Sequence, residues 1–327
     1  MTDGLPLDQV RTLLAAVDEG TFEAAAERLH VTPSAVSQRV KALEQRTGRV
    51  LLLRSKPVRP TPSGEVVVRF GRQLARLEQD AGAELGLAGA TGPATLPVAV
   101  NSDSLATWFL PALAEAAATA DVCFDLHRDD QDHTALLLRQ GRVMAAVTSS
   151  PEPVQGCSVR PLGRMTYRAY AAPAFAARHL ADGPLAVTLP AAPMIVFDRK
   201  DDIQDAFLRG LAPGRRTSGQ LRTYVPASES FVAAVAAGLG WGAIPDGQAA
   251  PYVAAGALTG LAPERPVDVP LYWQQWKLDS PPLAALTAAV VRAAAAALEQ
   301  GPPRRGRGQS SRPVPGSSSG ELKSGLE

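Results

Sequence analysis

The feature that most restricts this chain is a threonine-proline step, Thr32-Pro33, at the head of a basic amphipathic segment. Threonine is a favoured helix N-cap and proline suits the first helical position, so a helix is predicted to start there and run through Val36, Val40 and Leu43 towards Gly48. Two shorter helical patterns precede it. Leu7, Val10, Leu14 and Val17 recur at helical spacing until Gly20, and Thr21 then caps a segment with Phe22, Ala25, Ala26 and Leu29 on one face. After Gly48 the segment RVLLLRSKPVRPTPSG alternates a short apolar strand with basic turn residues, which predicts a two-stranded wing. Three short helices followed by a basic wing make a helix-turn-helix candidate, a frame that lays one helix in a nucleic-acid groove.

Charge supports that reading once it is counted locally. The 327 residues carry 33 Lys and Arg against 32 Asp and Glu, which on its own argues against a polyanionic partner. Residues 28–76, however, hold eleven basic side chains and only two acids, Glu44 and Glu65, a local charge of +9. Residues 92–300 sum to −3 and the remaining tail to +3. A concentrated basic stretch is the footprint of a phosphate-binding surface. The predicted third helix exposes Ser34, Ser37, Gln38, Arg39 and Lys41, side chains able to hydrogen-bond base edges or phosphates. A solvated basic face on an ordinary helical bundle is the alternative, and the order of the elements weighs against it. From Thr61-Pro62 a further helix begins in which Val67, Phe70, Leu74, Leu77 and Ala81 follow a three-four spacing. It reads either as a short dimer seam or as packing against the chain's own domain.

The stretch AAAERLHVTPSAVSQRVKALEQRTGRVLLLR resembles the N-terminal winged helix of the LysR-type transcriptional regulators. That resemblance implies a dimerising linker helix with an effector-binding domain behind it. It places Thr32, Pro33, Ser34, Ser37, Gln38 and Arg39 on the base-reading stretch, with Arg54 and Arg59 on a backbone-contacting wing. Many members have a basic residue and then glutamine after the serine; here the order is Ser37-Gln38-Arg39, so base preferences are not transferred.

Residues 82–97 shift to Gly, Ala, Thr and Pro and read as a hinge. Beyond them, strand patterns at Leu96–Val100, Val122–Leu126, Val143–Val147, Met194–Phe197 and Gly242–Ile244 alternate with helical patterns at 105–118, 132–140, 201–209 and 229–238. Such alternation predicts βαβ units with mostly parallel sheets and a ligand at the strand C-terminal ends. Polar residues cluster there: Asn101-Ser102-Asp103-Ser104, Asp129-Asp130, Thr148-Ser149 and Asp198. Hydroxyls and free helix N–H groups suit a carboxylate and Asp side chains suit a cation, so a basic amino acid would satisfy both; each residue alone could equally cap a helix.

AVNSDSLATWFLPAL (99–113), FDRKDDIQDAFL (197–208), PASESFVAAVAAGLGWGAIP (226–245) and LYWQQW (271–276) resemble the lysine/arginine exporter regulators, the ArgP/LysG branch of that family. The resemblance covers about residues 5–298. It implies an α/β chain with an all-α winged helix-turn-helix N-terminal domain and a two-subdomain, periplasmic-binding-protein-like effector domain. The implied boundaries are 1–61 for the DNA-binding domain, 62–91 for the linker helix and hinge, and 92–300 for the effector domain. Within the last, one subdomain takes about 92–166 and 269–300 and the other about 167–268. Promoter DNA, lysine or arginine, RNA polymerase and further copies of the chain, as a homodimer or homotetramer, are the implied partners, and an amino-acid exporter gene the activated target. The matched motifs and strand ends together nominate Ser102, Asp103, Ser104, Thr148, Asp198 and Ser228 for the effector, with Trp108 and Glu229 further out.

Other classes find little support. Cys123 and Cys157 are too few for a disulfide framework and read as core thiols. His30, His127, His133 and His179 show no metal-ligand spacing; His127 and His133 near Asp129, Asp130 and Asp132 come nearest to one. There is no GxSxG, Walker or GxGxxG motif, so no enzyme and no cofactor is expected. Trp241, Trp273 and Trp276 read as packing residues. The first residues lack a secretory pattern and no apolar run is long enough for a membrane helix, so a soluble cytoplasmic protein is expected. The Gly-, Ser-, Pro- and Arg-rich segment 301–327 is predicted to be disordered.

Overall fold

The computed structural model describes residues 4–87, 94–128, 131–214 and 220–301. The predicted disordered tail, apart from Gly301, and the Asp129-Asp130 pair lie outside the described residues, as do the side chains of Asp132 and His133.

The N-terminal unit is built as its caps dictate. Helices α1 (Leu7–Glu19), α2 (Phe22–Leu29) and α3 (Pro33–Thr47) close on one another, and the Thr21 and Thr32 hydroxyls accept from the amides of Ala24 and Ala35. Strands β1 (Leu52–Leu53) and β2 (Arg59–Pro60) pair antiparallel as the wing. Glu44, one of the two acids in the basic stretch, accepts from the amides of Leu51 and Leu52 at 2.8 and 3.3 Å and so ties the wing to α3. Helix α4 (Pro62–Glu84) follows. Its Gly64 admits no side chain, since a Cβ there would stand 1.9 Å from the Leu51 carbonyl oxygen. Val10, Leu13, Ala16, Val36, Val40, Leu43 and Leu51 form the core. Val67 and Val68 of α4 join them, which removes Val67 from the predicted seam; Phe70 and Leu77 stay exposed.

The second unit begins with β3 (Ala94–Val100), then a helical run made of α5 (Ser102–Ser104), a wide π-turn at Leu105–Phe109 and α6 (Leu110–Thr119). It continues through β4 (Val122–Arg128), α7 (Gln131–Arg139), β5 (Ala145–Thr148) and the long β6 (Cys157–Ala171). The chain then builds α8 (Pro173–His179), α9 (Leu185–Thr188), β7 (Met194–Val196), α10 (Ile203–Leu211), β8 (Arg222–Tyr224) and α11 (Ser228–Ala236). It ends with β9 (Gly242–Pro245), α12 (Asp246–Ala254), β10 (Thr259–Leu261), β11 (Val267–Trp276) and α13 (Pro281–Ala297).

The expectation of mostly parallel sheets holds only in part. β3 pairs parallel with β4 and β5, and β7 with β8, but β6, β9, β10 and β11 join antiparallel to give a mixed seven-stranded sheet. The cause is β6 and β11, which run side by side in opposite directions and carry the chain from one lobe to the other and back. Their register pairs Tyr167 with Val267 and Thr166 with Asp268, and the Thr166 hydroxyl donates to Asp268 at 2.8 Å.

Each lobe has its own apolar core. One joins β3–β5, α6, β11 and α13 around Phe109, Trp273 and Trp276. The other collects Met194, Phe207 and Trp241, with a neighbouring cluster of Ile195, Phe231, Val235 and Ile244. The three tryptophans are at most 2% exposed and serve as packing, each worth about 3–5 kcal/mol against alanine. Both cysteines are free; Cys157 is buried as expected, whereas Cys123 is exposed because it sits on the outward side of edge strand β4. Among the described residues no group could hold a metal ion, and His127 instead pairs with Asp125 at 3.1 Å. None of the described helices is long and apolar enough to cross a membrane.

Candidate functional site

The two lobes leave a cavity of about 320 Å³ between them. From the first lobe it is lined by Asn101, Ser102, Asp103 and Ser149, from the crossing strand by Tyr167, and from the second lobe by residues that include Phe197, Asp198, Asp201, Gln204, Ser228 and Gln248. Asp103 is bonded from two sides of it. The Tyr167 hydroxyl donates to one carboxylate oxygen at 2.7 Å and the Ser228 hydroxyl to the other at 2.5 Å, so this side chain joins both lobes and the strand between them. Asp201 accepts from the amides of Phe197 and Ile203, each at 3.0 Å, ahead of α10.

Both carboxyls are pushed above the ordinary carboxylate range. For Asp103 the main cause is burial, with the charge of Glu229 adding to it, against the two hydroxyl bonds that favour ionisation. For Asp201 it is again burial, opposed by the two amide bonds and reinforced by the charge of Asp103. Burial and the adjacent Asp103 also hold the Tyr167 phenol well above its usual value, so it stays a donor. Two desolvated carboxyls that line one cavity are relieved by a cation placed between them.

Four of the residues nominated from sequence meet here: Ser102, Asp103, Asp198 and Ser228. The Asp198 carboxylate also folds back on its own turn, accepting from the amides of Lys200 and Asp201 at 2.7 and 3.0 Å. The other four do not reach the cavity. Ser104 is fully buried and Trp108 sits in the first lobe's core against Phe109, because both face inward from the helix whose outer turn carries Ser102 and Asp103. Thr148 is buried, donating to the Ser150 carbonyl and accepting from Gln274; its neighbour Ser149 faces the cavity instead. Glu229 points to solvent, and only its charge is felt by Asp103.

In the N-terminal unit, Ser34, Gln38 and Lys41 are exposed along one face of α3, opposite the buried Val36, Val40 and Leu43, and Ser37 is half-buried beside them. Thr32 is occupied as the cap and also contacts the Ser34 hydroxyl at 3.0 Å, while Pro33 fills the first helical position. Arg39 does not join the exposed face: it is half-buried and its guanidinium reaches the Thr12 hydroxyl of α1 at 3.5 Å. Arg54 and Arg59 are exposed on the wing.

Residues 7–65 match the bacterial regulatory helix-turn-helix proteins of the lysR family, and residues 91–295 match the LysR substrate binding domain. The chain belongs to the LysR family. This LysR-family protein is therefore a DNA-binding transcriptional regulator and not an enzyme, with a helix-turn-helix head and an α/β effector domain like that of the periplasmic binding proteins. It is 44% identical over 290 residues to the lysine export transcriptional regulatory protein LysG of Corynebacterium glutamicum, an alignment that covers 88% of this chain and 97% of that one. The structure of full-length LysG from that organism with bound effector Arg is similar with a TM-score of 0.79 at 41% identity, covering 90% of this chain and 100% of the other. The crystal structure of ArgP from Mycobacterium tuberculosis is similar with a TM-score of 0.83 at 44% identity, covering 91% and 99%.

The LysR-family cavity also contains Asp201, Tyr167 and Gln248, which the sequence motifs do not nominate. Asp201 was legible in principle, since DRKDD places three acids after β7, but the strand-end rule selects Asp198, the first of them. Tyr167 and Gln248 carried no such signal, because they come from a crossing strand and a helix whose closeness to Asp103 exists only in the fold.

Proposed function

We propose that this regulator senses a basic amino acid, arginine or lysine, in the cavity between its lobes and controls an amino-acid exporter gene from promoter DNA. One observation carries the effector class: Asp103 and Asp201 line one cavity, both are raised chiefly by burial, and the charge of Asp103 raises Asp201 further. Asp103, Asp198, Asp201 and Asp202 line it against one basic residue, Lys200, so a monoanionic acid without a cationic group would meet net repulsion there. The arginine bound in the related C. glutamicum structure supports the same class. The Ser102 hydroxyl and the Ser228 amide at the start of α11 offer donors for the α-carboxylate, the Ser228 hydroxyl being engaged by Asp103.

In this reading residues 1–61 form the DNA-binding domain, 62–91 the linker and 92–300 the effector domain, with 301–327 as an appended tail. Ser34, Ser37, Gln38 and Lys41 read bases, Arg54 and Arg59 hold phosphates, Thr32 and Pro33 set the helix start, and Arg39 braces α3 on α1. Exposed Phe70 and Leu77 on α4 pair the chain with a second copy, which puts two recognition helices on a dyad-related operator. RNA polymerase is the expected partner at an activated promoter.

Calorimetric titration of the twenty amino acids tests the effector. Arginine or lysine should bind and alter the footprint on promoter DNA. No heat from either, with binding of an aromatic or sugar acid instead, would refute the basic-amino-acid reading; an identical footprint with and without the best ligand would favour a ligand-independent architectural role.

A further inference from the structure

Helix α4 touches both functional parts of the protein, and one side chain on it bonds to both. Arg72 Nη1 donates to the Gln140 carbonyl at 3.0 Å, in the turn that ends α7 of the effector domain. Its Nη2 donates to the Asp18 carboxylate at 2.6 Å, in the last turn of α1 of the DNA-binding head. The Arg72 side chain is only 22% exposed and that of Asp18 28%. Asp18 and the adjacent Glu19 also receive Arg28 of α2, at 3.8 and 3.0 Å, so the bond enters the head's own ion-pair network.

The contact is shaped on both sides. The Gln140 side chain donates back to Glu65 of α4 at 3.3 Å, and Arg69 reaches the Arg139 carbonyl at 3.5 Å. Gly141 has φ +66°, and a Cβ there would stand 2.9 Å from the Arg69 Cα, a backbone atom that cannot swing aside. The same turn leads into β5, whose following residue, Ser149, lines the cavity.

We propose that Arg72 is the positioning residue that couples the effector domain to the DNA-binding head. A guanidinium is a rigid fork whose two arms fix the direction of both partners; an ammonium cannot serve both sites in the same way. Movement of the cavity's first lobe would pull on the α7 turn, and Arg72 would pass that displacement to α1. Coupling of this kind requires that the two interdomain arrangements differ in free energy, which a joint made in only one of them supplies.

The test has two readouts, one of them independent of any ligand. Spin labels on exposed native Cys123 and on Gln45→Cys, diluted with unlabelled chain, report the head-to-effector distance. The distribution should be narrow in the otherwise native protein and broader in Arg72→Ala. Gly141→Ala, which wedges the contact apart from the other side, should broaden it too, and Arg72→Lys should fall between. An unchanged distribution in both Arg72→Ala and Gly141→Ala would overturn the proposal.

The second readout rests on the basic-amino-acid reading and uses arginine as the probe. Arg72→Ala and Asp18→Asn should each keep arginine and promoter affinities within about threefold of the native values, while the arginine-induced change in DNA bend falls by about half or more. A full bend change in Arg72→Ala, or loss of arginine binding itself, would overturn the coupling role. If the native protein gives no response to arginine, the effector reading fails, and the distance measurement still decides whether the joint exists.

Discussion

Asp103→Asn is the sharpest perturbation of the cavity, because it removes a charge while keeping the side chain's shape. The Tyr167 hydroxyl can still donate to the remaining carbonyl oxygen, and the new amide can donate to the Ser228 hydroxyl, so both cross-lobe bonds persist. In the native protein the Asp103 carboxylate has hydroxyl partners but no cation among its bonds, and burial raises its pKa. A cationic effector about 4 Å away gains about 4 kcal/mol of gross attraction at the effective dielectric of a partly buried site. Part of that offsets desolvation of the ligand, and Asp201 still draws the cation in the variant. The net loss is therefore about 2 kcal/mol, which is about 30-fold in Kd.

The same substitution should stabilise the protein without ligand at pH 7.5, because no buried charge has to be accommodated; each kcal/mol so gained raises Tm by about 2–4 °C in a domain of this size. Calorimetry with arginine and thermal melts with and without it measure both effects. The combination of a weaker effector response with a higher ligand-free Tm is distinctive. A lower ligand-free Tm together with native arginine affinity would refute the reasoning, since Asp103 would then be a structural carboxylate already paired in the fold.

Four further predictions follow from the structure. The ligand-free fold should lose stability as pH rises from about 4, because Asp103 and Asp201 have folded pKa values above the ordinary aspartate value of 3.8 and the native chain holds protons that the unfolded chain releases. Arginine affinity should run the opposite way, climbing with pH until both carboxyls are ionised and then levelling off; affinity that falls over that range would contradict the cation assignment. Gln38→Ala should relax sequence preference at one operator position at a cost of about 1–3 kcal/mol, while Arg59→Ala weakens all sequences alike and lowers the salt dependence, as selection from a randomised operator library would reveal. Leu77→Glu on the exposed side of α4 should lower the oligomeric state in analytical ultracentrifugation and leave the melting of the monomer nearly unchanged, because that side chain is 42% exposed within one chain.

What could be read from the sequence was local. Thr21, Thr32-Pro33 and the basic wing act within a few residues of themselves, and the head has the helices and strands those signals predict. The helices that begin at Ser228 and Ile203 were visible for the same reason. The long β6 was not. It carries Pro161, Gly163 and three arginines, and its two halves pack against different lobes, so no single alternation of apolar and polar residues runs along it.

The cavity divides in the same way. Ser102, Asp103, Asp198 and Ser228 stood out as polar residues at strand and helix ends, a rule that selects positions but not directions. A helix turns by about 100° per residue, so Ser104 and Trp108, close to Asp103 in sequence, point into the core instead. Tyr167 and Ser228 meet Asp103 across 64 and 125 residues, and Arg72 joins Asp18 to Gln140 over similar separations. By itself the sequence determined a winged DNA-reading head, a two-lobed ligand domain and acidic candidates for a cationic effector. Only the tertiary structure decided which carboxyls share the cavity and which arginine spans the domains, because hydrogen bonds and charge coupling depend on distances of a few ångströms that chain order does not record.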